Sequence, residues 1–432
     1  MVTTDVRALV RRTSDEEMAL VEELMKVFGS HVVDFHDVLR DMRRDAPVHR
    51  GNIVEELGAR SNLSLYEGEK FSFFRFDDIV AAFSDPATFS SAAMSVSQGA
   101  VYGRTLINMD PPDHRDPRIL AQSVFGRRAM AQWRASFFAP LADAYVDSIA
   151  DRGEADLITD LVTPYPVSIL HGLFGLPGEE IDWFHKAAVK LLLTRSTTPE
   201  VGEQARVEVT ARLTELIAER RSAIAAGTAD ENLITAFVRA NDEQGVLDDE
   251  GVVSFMRLLL PAGAETTQKA AANLMAGLFT HPDQLALVRA DPELIPAAVD
   301  ESLRWENSNQ VVSRGVVRDV VVRGVEIPAG SGVQLVTASA ARDEEVFADP
   351  DAFDVVRKEK ATVPFGHGIH LCVGMQMARI EMQEMLRALL ERLPDVHLDP
   401  EHDPPVIRGV TFRTPDRVRV RWTPPARRQF GC

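Results

Sequence analysis

Cysteine is scarce in this sequence, because the 432 residues contain only Cys372 and Cys432. An all-cysteine zinc site and a cysteine-ligated iron–sulfur cluster each need four thiolates, so both are excluded. So few cysteines also exclude a disulfide scaffold and fit a reducing compartment. Cys372 is therefore either a buried small side chain or a single thiolate with a special role.

Long hydrophobic runs and a basic excess are also missing. No stretch reaches the roughly 18 uninterrupted apolar residues of a membrane-spanning helix, and residues 1–20 lack the apolar core of a signal peptide. The 47 Lys and Arg against 65 Asp and Glu give a net charge of −18, which argues against nucleic-acid binding. We expect a soluble, cytoplasmic protein with no membrane insertion.

Helical patterns dominate what is present. They run from about 110 to 290, whereas the period changes to that of strands between Val311 and Ala341. A further strand pair is predicted from Ile407–Phe412 and Val418–Trp422. Helix therefore dominates, and small sheets lie at the edges.

The first motif surrounds Cys372. Residues Phe365–Gly374 read Phe-Gly-His-Gly-Ile-His-Leu-Cys-Val-Gly and precede an amphipathic helix that starts near Met375. Free N–H groups and the helix dipole favour negative charge there, which predicts a lowered thiol pKa and a stable thiolate. Glycines such as Gly366 and Gly374 permit close approach of a flat or bulky group.

Three alternatives to a special thiolate exist for this loop. A dinucleotide-binding loop fails because Leu371 occupies the position of the third glycine. A zinc site made of His367, His370 and Cys372 has no obvious fourth ligand. A plain turn with a buried cysteine stays open.

The second motif lies inside a long helix that is predicted from about Asp249 to His281. Nearly every face of this helix is apolar, which indicates a path through the core. Pro261 removes one backbone hydrogen bond, and Thr266 can donate to the carbonyl of Ala262 one turn earlier.

An acid accompanies that threonine. Glu265 lies deep in the apolar helix, where a buried polar group usually has either a partner or a function. Lys269 is the obvious partner, at the i+4 position. A chemical role and a simple ion pair both stay open from the residues alone.

Two charged patterns complete the set. Glu301 and Arg304 share a helix face at i, i+3, and His114 and Arg118 share one at i, i+4 after Pro111-Pro112. His114 and Arg118 together can hold a carboxylate. By itself, each pattern is also what a solvated helix surface would show.

In this order and spacing, the four motifs resemble those of the cytochrome P-450 family, the haem-thiolate monooxygenases, of the soluble bacterial type. The resemblance covers roughly 30–425. Phe365–Gly374 is similar to the haem-binding loop, Ala262–Thr267 to the oxygen-activation motif, and Glu301 with Arg304 to the E-x-x-R pair. Phe353–Arg357 resembles the meander, which supplies a third partner to that pair.

The resemblance implies a mainly α (α+β) fold, namely a helix-rich triangular prism with small peripheral β-sheets and a long central helix over the haem. It implies one domain over residues 1–432, with 1–25 and 425–432 loosely ordered. Glu301, Arg304 and Arg357 would be structural.

The resemblance also implies the cofactor, haem b, and the residues that contact it. Cys372 would be the axial thiolate on iron, and Glu265 and Thr266 would relay protons. The further cofactor-binding residues that it implies are His114, Arg118, Arg314 and His370 at the propionates, together with Phe365, Gly366, Gly374 and Ala262.

The activity that the resemblance implies is hydroxylation or epoxidation of a small apolar substrate, such as a terpenoid, steroid, fatty acid or aromatic, by O2. A ferredoxin with its ferredoxin reductase would supply two electrons, docking near Cys372 and the basic segment Arg115–Arg128. A monomer is expected. A peroxygenase driven by hydrogen peroxide and a haem-based ligand sensor without turnover are the alternatives.

The substrate pocket is expected to be lined by the following segments: 91–108, parts of 185–200, the helix around Leu259, 307–312 and the Thr411-Phe412 turn. Asn307, Asn309 and Gln310 are candidates for one or two hydrogen bonds to the substrate.

Overall fold

The computed structural model describes residues 5–193, 199–359 and 363–424. Helices dominate it, as the sequence predicts. The α-helices of the described residues are, in chain order, Asp15–Val27 (α1), Phe35–Asp45 (α2), Ile53–Glu56 (α3), Phe76–Ser84 (α4), Ser95–Tyr102 (α5), Arg115–Val124 (α6), Arg127–Trp133 (α7), Ala139–Ile149 (α8), Pro164–Phe174 (α9), Ile181–Leu192 (α10), Pro199–Ala226 (α11), Leu233–Gln244 (α12), Asp249–Thr280 (α13), Pro282–Ala290 (α14), Ile295–Trp305 (α15), Thr337–Ala340 (α16) and Met375–Arg392 (α17).

The strands are short and form small sheets. They are Val48–Arg50 (β1), Lys70–Phe73 (β2), Phe89–Ser90 (β3), Glu154–Asp156 (β4), Val312–Val316 (β5), Val320–Val322 (β6), Val325–Ile327 (β7), Gly332–Leu335 (β8), His397–Leu398 (β9), Ile407–Arg408 (β10), Thr414–Pro415 (β11) and Arg419–Arg421 (β12). The largest sheet has the order β1-β2-β8-β5-β3, in which β2 and β8 are parallel and the other neighbours antiparallel. The remaining sheets are β4-β12-β9 and the pairs β6-β7 and β10-β11.

The predicted pairing of the two C-terminal strand segments is wrong. β10 pairs with β11, whereas β12 pairs with β9 and with β4, which lies far earlier in the chain. Val420 is buried in that sheet, and Arg421 lies opposite Glu154 with 3.7 Å between Nη2 and Oε2. Because β4 is so distant in sequence, no local pattern near β12 indicates this pairing.

The N-terminal segment is packed, where loose order was expected over 1–25. Ser14 caps α1: its Oγ accepts from the N–H of Glu17 at 3.3 Å, and its own backbone N–H donates to Glu17 Oε2 at 2.8 Å. Arg11 also contacts that carboxylate, at 2.6 Å. Leu9 is fully buried and its carbonyl accepts from Tyr145 at 3.1 Å. These contacts hold Leu9, Arg11 and Glu17 against the rest of the molecule. The loose order expected over 1–25 and 425–432 stays a prediction, and residues 425–432 lie outside the described part.

Helix α13 passes through the centre of the molecule, with bounds that match the prediction. Its first turn is capped by the carboxylate of Asp248, which accepts from the N–H of Gly251 at 2.8 Å, and Pro282 starts the next helix. It contacts α9, α11, α15 and α17. None of the helices in the described residues has the length and apolar character that crossing a membrane requires.

A buried carboxylate joins the two ends of the chain. Glu306, just after α15, hydrogen-bonds to His36 at 2.8 Å, Gln310 at 3.1 Å and Arg413 at 3.0 Å. Burial acts to raise the pKa of Glu306, but Arg413, His36 and Arg342 outweigh it and hold the pKa at about 2. Burial, reinforced by Arg342, lowers the pKa of His36 to about 4.

We expect His36 to make the fold sensitive to mild acid. The unfolded chain binds its proton below about pH 6.5, whereas the folded chain does so only near pH 4. The free energy of unfolding should therefore fall by about 3 kcal/mol between these pH values on account of this residue. His36→Gln, which keeps a donor toward Glu306, should flatten that decline in urea titrations.

The exposed His31→Gln is the matched control and should leave the decline unchanged. An identical pH slope in His36→Gln and in the parent protein would contradict the assignment.

Candidate functional site

The loop before α17 owes its shape to two glycines with left-handed backbone. Gly366 and Gly368 have φ values of +75° and +68°. A Cβ on Gly368 would lie 2.5 Å from the carbonyl oxygen of Phe83, so no larger residue fits without movement. The N–H of Cys372 donates to the carbonyl of Phe365 at 2.9 Å, which closes the loop.

The Cys372 sulfur is exposed, yet protein groups surround it. Burial raises the pKa of this thiol, and the N–H groups of Gly374 and Met375 oppose that effect, as do Arg118 and Arg379. The sequence argument from the helix N-terminus predicted a lowered pKa, and this is wrong for the free thiol because desolvation outweighs the N–H groups. The same N–H groups stabilise a thiolate once a cation binds it.

Helix α13 turns one small face toward open space. Between Val252 and Phe279, all of which the structure describes, every residue is buried except Ala262, Gly263 and Thr266. The hydroxyl of Thr266 donates to the carbonyl of Ala262 at 2.7 Å, as predicted. A Cβ on Gly263 would meet Leu170, so the open face is that of Ala262 and Thr266.

Glu265 does not share that open face. Its side chain is buried and accepts a hydrogen bond from the ammonium of Lys269, which is buried as well. The ion pair that the sequence left open is therefore present. The Lys269 ammonium also lies 5.4 Å from the ring centroid of Phe412.

Four predicted site residues converge near Cys372. The rings of His114 and His370 lie 4.5 Å apart, and neither Nε2 atom has a hydrogen-bond partner among the described residues. Burial lowers the pKa of His370 to about 3, with Arg314, His114 and Arg118 adding to the shift. Burial also lowers the pKa of Arg314 to about 10, and it lowers the pKa of Arg118 as well.

The start of α6 places two of these groups. The helix begins at Arg115, and the N–H of Arg118 donates to the carbonyl of His114 at 3.1 Å, so both side chains lie on one face. Pro117 is the third residue of the helix, where a missing N–H costs nothing. Buried donors without carboxylate partners suit the acidic groups of a ligand.

The E-x-x-R pair is buried rather than solvated. Arg304 contacts Glu301 through two hydrogen bonds of 2.8 Å, and Arg357 Nε donates to Glu301 Oε1 at 3.2 Å. Arg304 also donates to the carbonyls of Ala341 and Pro350, at 3.0 and 2.8 Å. This cluster ties α15 to the segment that leads to the Cys372 loop, and it has the structural role that the resemblance implies.

The zinc alternative gains no support. Within the described ranges, no three or more His, Cys, Asp or Glu side chains are arranged to hold a metal ion. His367 is exposed, and the ring of His370 packs against His114 instead.

One cavity overlaps a segment that is expected to line the substrate pocket. A cavity of about 430 Å³ is lined by ten residues: Ala92, Ser95, Gly99, Gly103, Arg104, Asn108, Met109, Asp110, Pro111 and Asp113. These lie in or just after the predicted segment 91–108. Gln310 instead bonds Glu306, and the Asn307 amide lies 3.4 Å from Thr337, while residues 194–198 lie outside the described part.

Glu381, a buried acid on α17, was not identified in the sequence analysis. Glu381 on α17 is fully buried, and neither carboxylate oxygen has a hydrogen-bond partner among the described residues. Burial raises its pKa well above the usual range. Its spacing from the buried Met377 and Met385, four residues to either side, was the available signal.

Comparisons with known proteins identify the family of the chain. A family model described as Cytochrome P450 matches residues 289–417. Nocardicin C N-oxygenase of Nocardia uniformis subsp. tsuyamanensis is 34% identical over 411 residues, covering 91% of this chain and 98% of that protein. Cyclomarin C epoxidase CymV of Salinispora arenicola is 34% identical over 373 residues, covering 84% and 90%.

A solved structure extends the likeness to the fold. The LnmA cytochrome P450 hydroxylase from the leinamycin biosynthetic pathway of Streptomyces atroolivaceus S-140 superposes with a TM-score of 0.77 at 32% identity, covering 90% of this chain and 97% of that one. Fold and matches together define a monooxygenase of the haem-thiolate class. The chain belongs to the cytochrome P450 family and is an oxidoreductase that incorporates oxygen.

We expect Gly368→Ala to disrupt the Cys372 loop. The new Cβ meets the backbone of Phe83, and φ is in the left-handed region, so the free energy of unfolding should fall by about 1–3 kcal/mol. Urea unfolding measures this. Gly178→Ala, where a Cβ meets nothing within 4 Å, is the control, and equal losses in the two variants would contradict the prediction.

Proposed function

We propose that this chain binds haem b through the Cys372 thiolate and inserts one oxygen atom of O2 into a small apolar organic substrate. The observation that carries the proposal is the convergence of His114, His370, Arg314 and Arg118 on the surroundings of an accessible Cys372 sulfur. The unpaired Nε2 atoms of His114 and His370, with the positive charge of Arg314 and Arg118, fit a group with two acidic side arms, which haem has in its propionates.

The flat part of that group also has a fitting place. Phe365, Gly366 and Gly374 form the loop around the sulfur, and the small side chain of Ala262 lies on the open face of α13. When bound, haem supplies dioxygen activation, which a thiolate ligand promotes by pushing electron density onto the iron. The protein's contribution is to bind, orient and deliver protons.

The stoichiometry of the reaction determines how many protons these residues must deliver. Substrate and O2 take up two electrons and two protons, and one oxygen atom enters the substrate while the other leaves as water. Thr266 presents its hydroxyl at the open face of α13, and Glu265 is the adjacent ionisable group. We assign both to proton delivery.

The substrate class follows from the cavity and the relatives. Met109 and Ala92 line the 430 Å³ cavity with apolar surface, whereas Asn108 and Arg104 add polar groups. The relatives are named for nocardicin C and cyclomarin C, and the LnmA structure for leinamycin biosynthesis. A mainly apolar natural product with a few hydrogen-bonding groups fits both observations.

The electron donor is proposed to be an acidic ferredoxin, itself reduced by a ferredoxin reductase. Arg115, Arg127 and Arg128 are exposed and have no ion pair among the described residues, although the protein carries a net charge of −18. Unpaired basic side chains close to α6, which also carries Arg118, attract an acidic partner toward the haem site. A monomeric, cytoplasmic holoenzyme is part of the same proposal.

The absorption spectrum of the reduced protein under carbon monoxide tests the thiolate. We expect a strongly red-shifted Soret band, and Cys372→Ala should lose it because the sulfur ligand is gone. Thr266→Ala, which leaves the sulfur in place, should keep the band. A protein that stays colourless after haem supplementation would overturn the proposal.

The docking surface is tested by charge reversal. Arg127→Glu with Arg128→Glu should slow reduction by ferredoxin about tenfold or more at low salt, because steering depends on opposite charges, and salt should shrink the difference. Stopped-flow reduction rates measure it. Arg44→Glu with Arg50→Glu, at exposed positions of α2 and β1, is the control of equal charge change.

An unchanged reduction rate in the double variant would remove this docking site. Turnover driven by hydrogen peroxide at the same rate as turnover driven by ferredoxin would favour the peroxygenase alternative instead.

A further inference from the structure

We propose that Lys269 is a positioning residue for Glu265: it holds the carboxylate away from the open face of α13 and links it to the pocket wall at Phe412. The inference rests on the proposed role of Glu265 in proton delivery and adds a residue to it.

The first observation is the ion pair itself. Glu265 and Lys269 are 8% and 4% exposed, and the Lys269 ammonium donates to Glu265 Oε1 one turn along α13. A pair that is buried to this degree is screened little by solvent, unlike the exposed i, i+4 pairs of helix surfaces. Removing the cation would leave a buried carboxylate without its charge partner.

The second observation is the division of side chains along α13. Thr266 and Ala262 face open space, whereas Glu265 belongs to the buried surface with Lys269. The Glu265 carboxylate must therefore break or weaken its ion pair with the Lys269 ammonium before it can exchange a proton with Thr266. Lys269 therefore determines the resting position of the Glu265 carboxylate and how easily the carboxylate leaves that position.

The third observation connects the pair to the expected substrate pocket. The Lys269 ammonium lies 5.4 Å from the ring centroid of Phe412, whose ring packs 4.7 Å from that of Phe28. Phe412 also forms a backbone bridge with Asn309. A cation over an aromatic face is attracted to it, so Glu265, Lys269 and Phe412 form one chain of contacts. A substrate that contacts Phe412 and shifts its ring therefore changes the position of the Glu265 carboxylate through Lys269.

The test uses the holoenzyme with NADPH, a ferredoxin and its reductase, and needs no identified substrate. Without substrate, reduced O2 leaves either as hydrogen peroxide or, with further protons and electrons, as water. Peroxide released per O2 consumed therefore reports proton delivery. We expect Lys269→Met, which keeps the chain length but loses the charge, to raise this ratio about threefold or more.

Two further measurements separate positioning from a purely structural role. The solvent deuterium isotope effect on O2 consumption should increase in Lys269→Met, and Lys269→Arg should restore the ratio to within about twofold of the parent. In the Glu265→Gln background, Lys269→Met should add nothing, because Lys269 acts through that carboxylate. Lys26→Met, at an exposed ion pair with Glu23, is the matched control and should change nothing.

Urea unfolding gives a readout that is independent of turnover. The midpoint should fall in Lys269→Met, and the fall should be smaller when Glu265→Gln is also present, since the buried charge is then gone. If Lys269→Met does not yield folded holoenzyme, Lys269→Gln carries the same comparisons.

The outcomes distinguish the inference from the proposal on which it rests. If Glu265→Gln raises the peroxide ratio and Lys269→Met does not, the positioning role is overturned while the relay survives. If Glu265→Gln leaves the ratio unchanged, the relay itself fails. Equal effects of Lys269→Met in the presence and absence of Glu265→Gln would also overturn the positioning role.

Discussion

Helix α13 is buried along nearly its whole length, and the arrangement of the site depends on this burial. Its neighbours α9, α11, α15 and α17 fix its position, so Ala262 and Thr266, on its open face, define where open space meets the core. Small and hydroxyl-bearing side chains there leave room for a flat group and its substrate. On the same buried helix, Glu265 is a buried polar group that needs a hydrogen-bond partner, and Lys269 supplies one.

Unbalanced charge distinguishes the Cys372 site from the rest of the protein. Glu301 with Arg304 and Arg357, and Glu306 with Arg413, are buried and satisfied by opposite charge. Around Cys372, by contrast, Arg314, Arg118 and two histidines with unpaired nitrogens face one another, and burial depresses their pKa values. Such an arrangement costs stability unless an acidic ligand offsets it, which is why it indicates a binding site rather than a structural cluster.

Much of this was accessible from the sequence. The apolar pattern predicted α13 to within a residue at either end, and the glycines predicted the unusual loop before Cys372. The Thr266 hydroxyl bonds back to Ala262 as one-turn spacing requires. The strand-pairing prediction failed because the pairing is non-local: β12 pairs with β4 rather than with its neighbour in sequence. The packing of the N-terminal segment through Leu9 and Glu17 also depends on contacts outside that segment. The prediction of a lowered pKa for the Cys372 thiol was wrong for the same reason, since desolvation depends on the surrounding fold.

The sequence by itself determined the order and spacing of the chemical groups, because helical periodicity, capping and glycine backbone freedom act over a few residues. It identified the single relevant cysteine and placed Glu265, Thr266 and Lys269 within one turn of each other. Only the tertiary structure decided that His114, Arg314 and His370 meet near that cysteine, and that Lys269 reaches Phe412. Such meetings join residues far apart in the chain, and burial and charge balance there are properties of the packed core rather than of any segment.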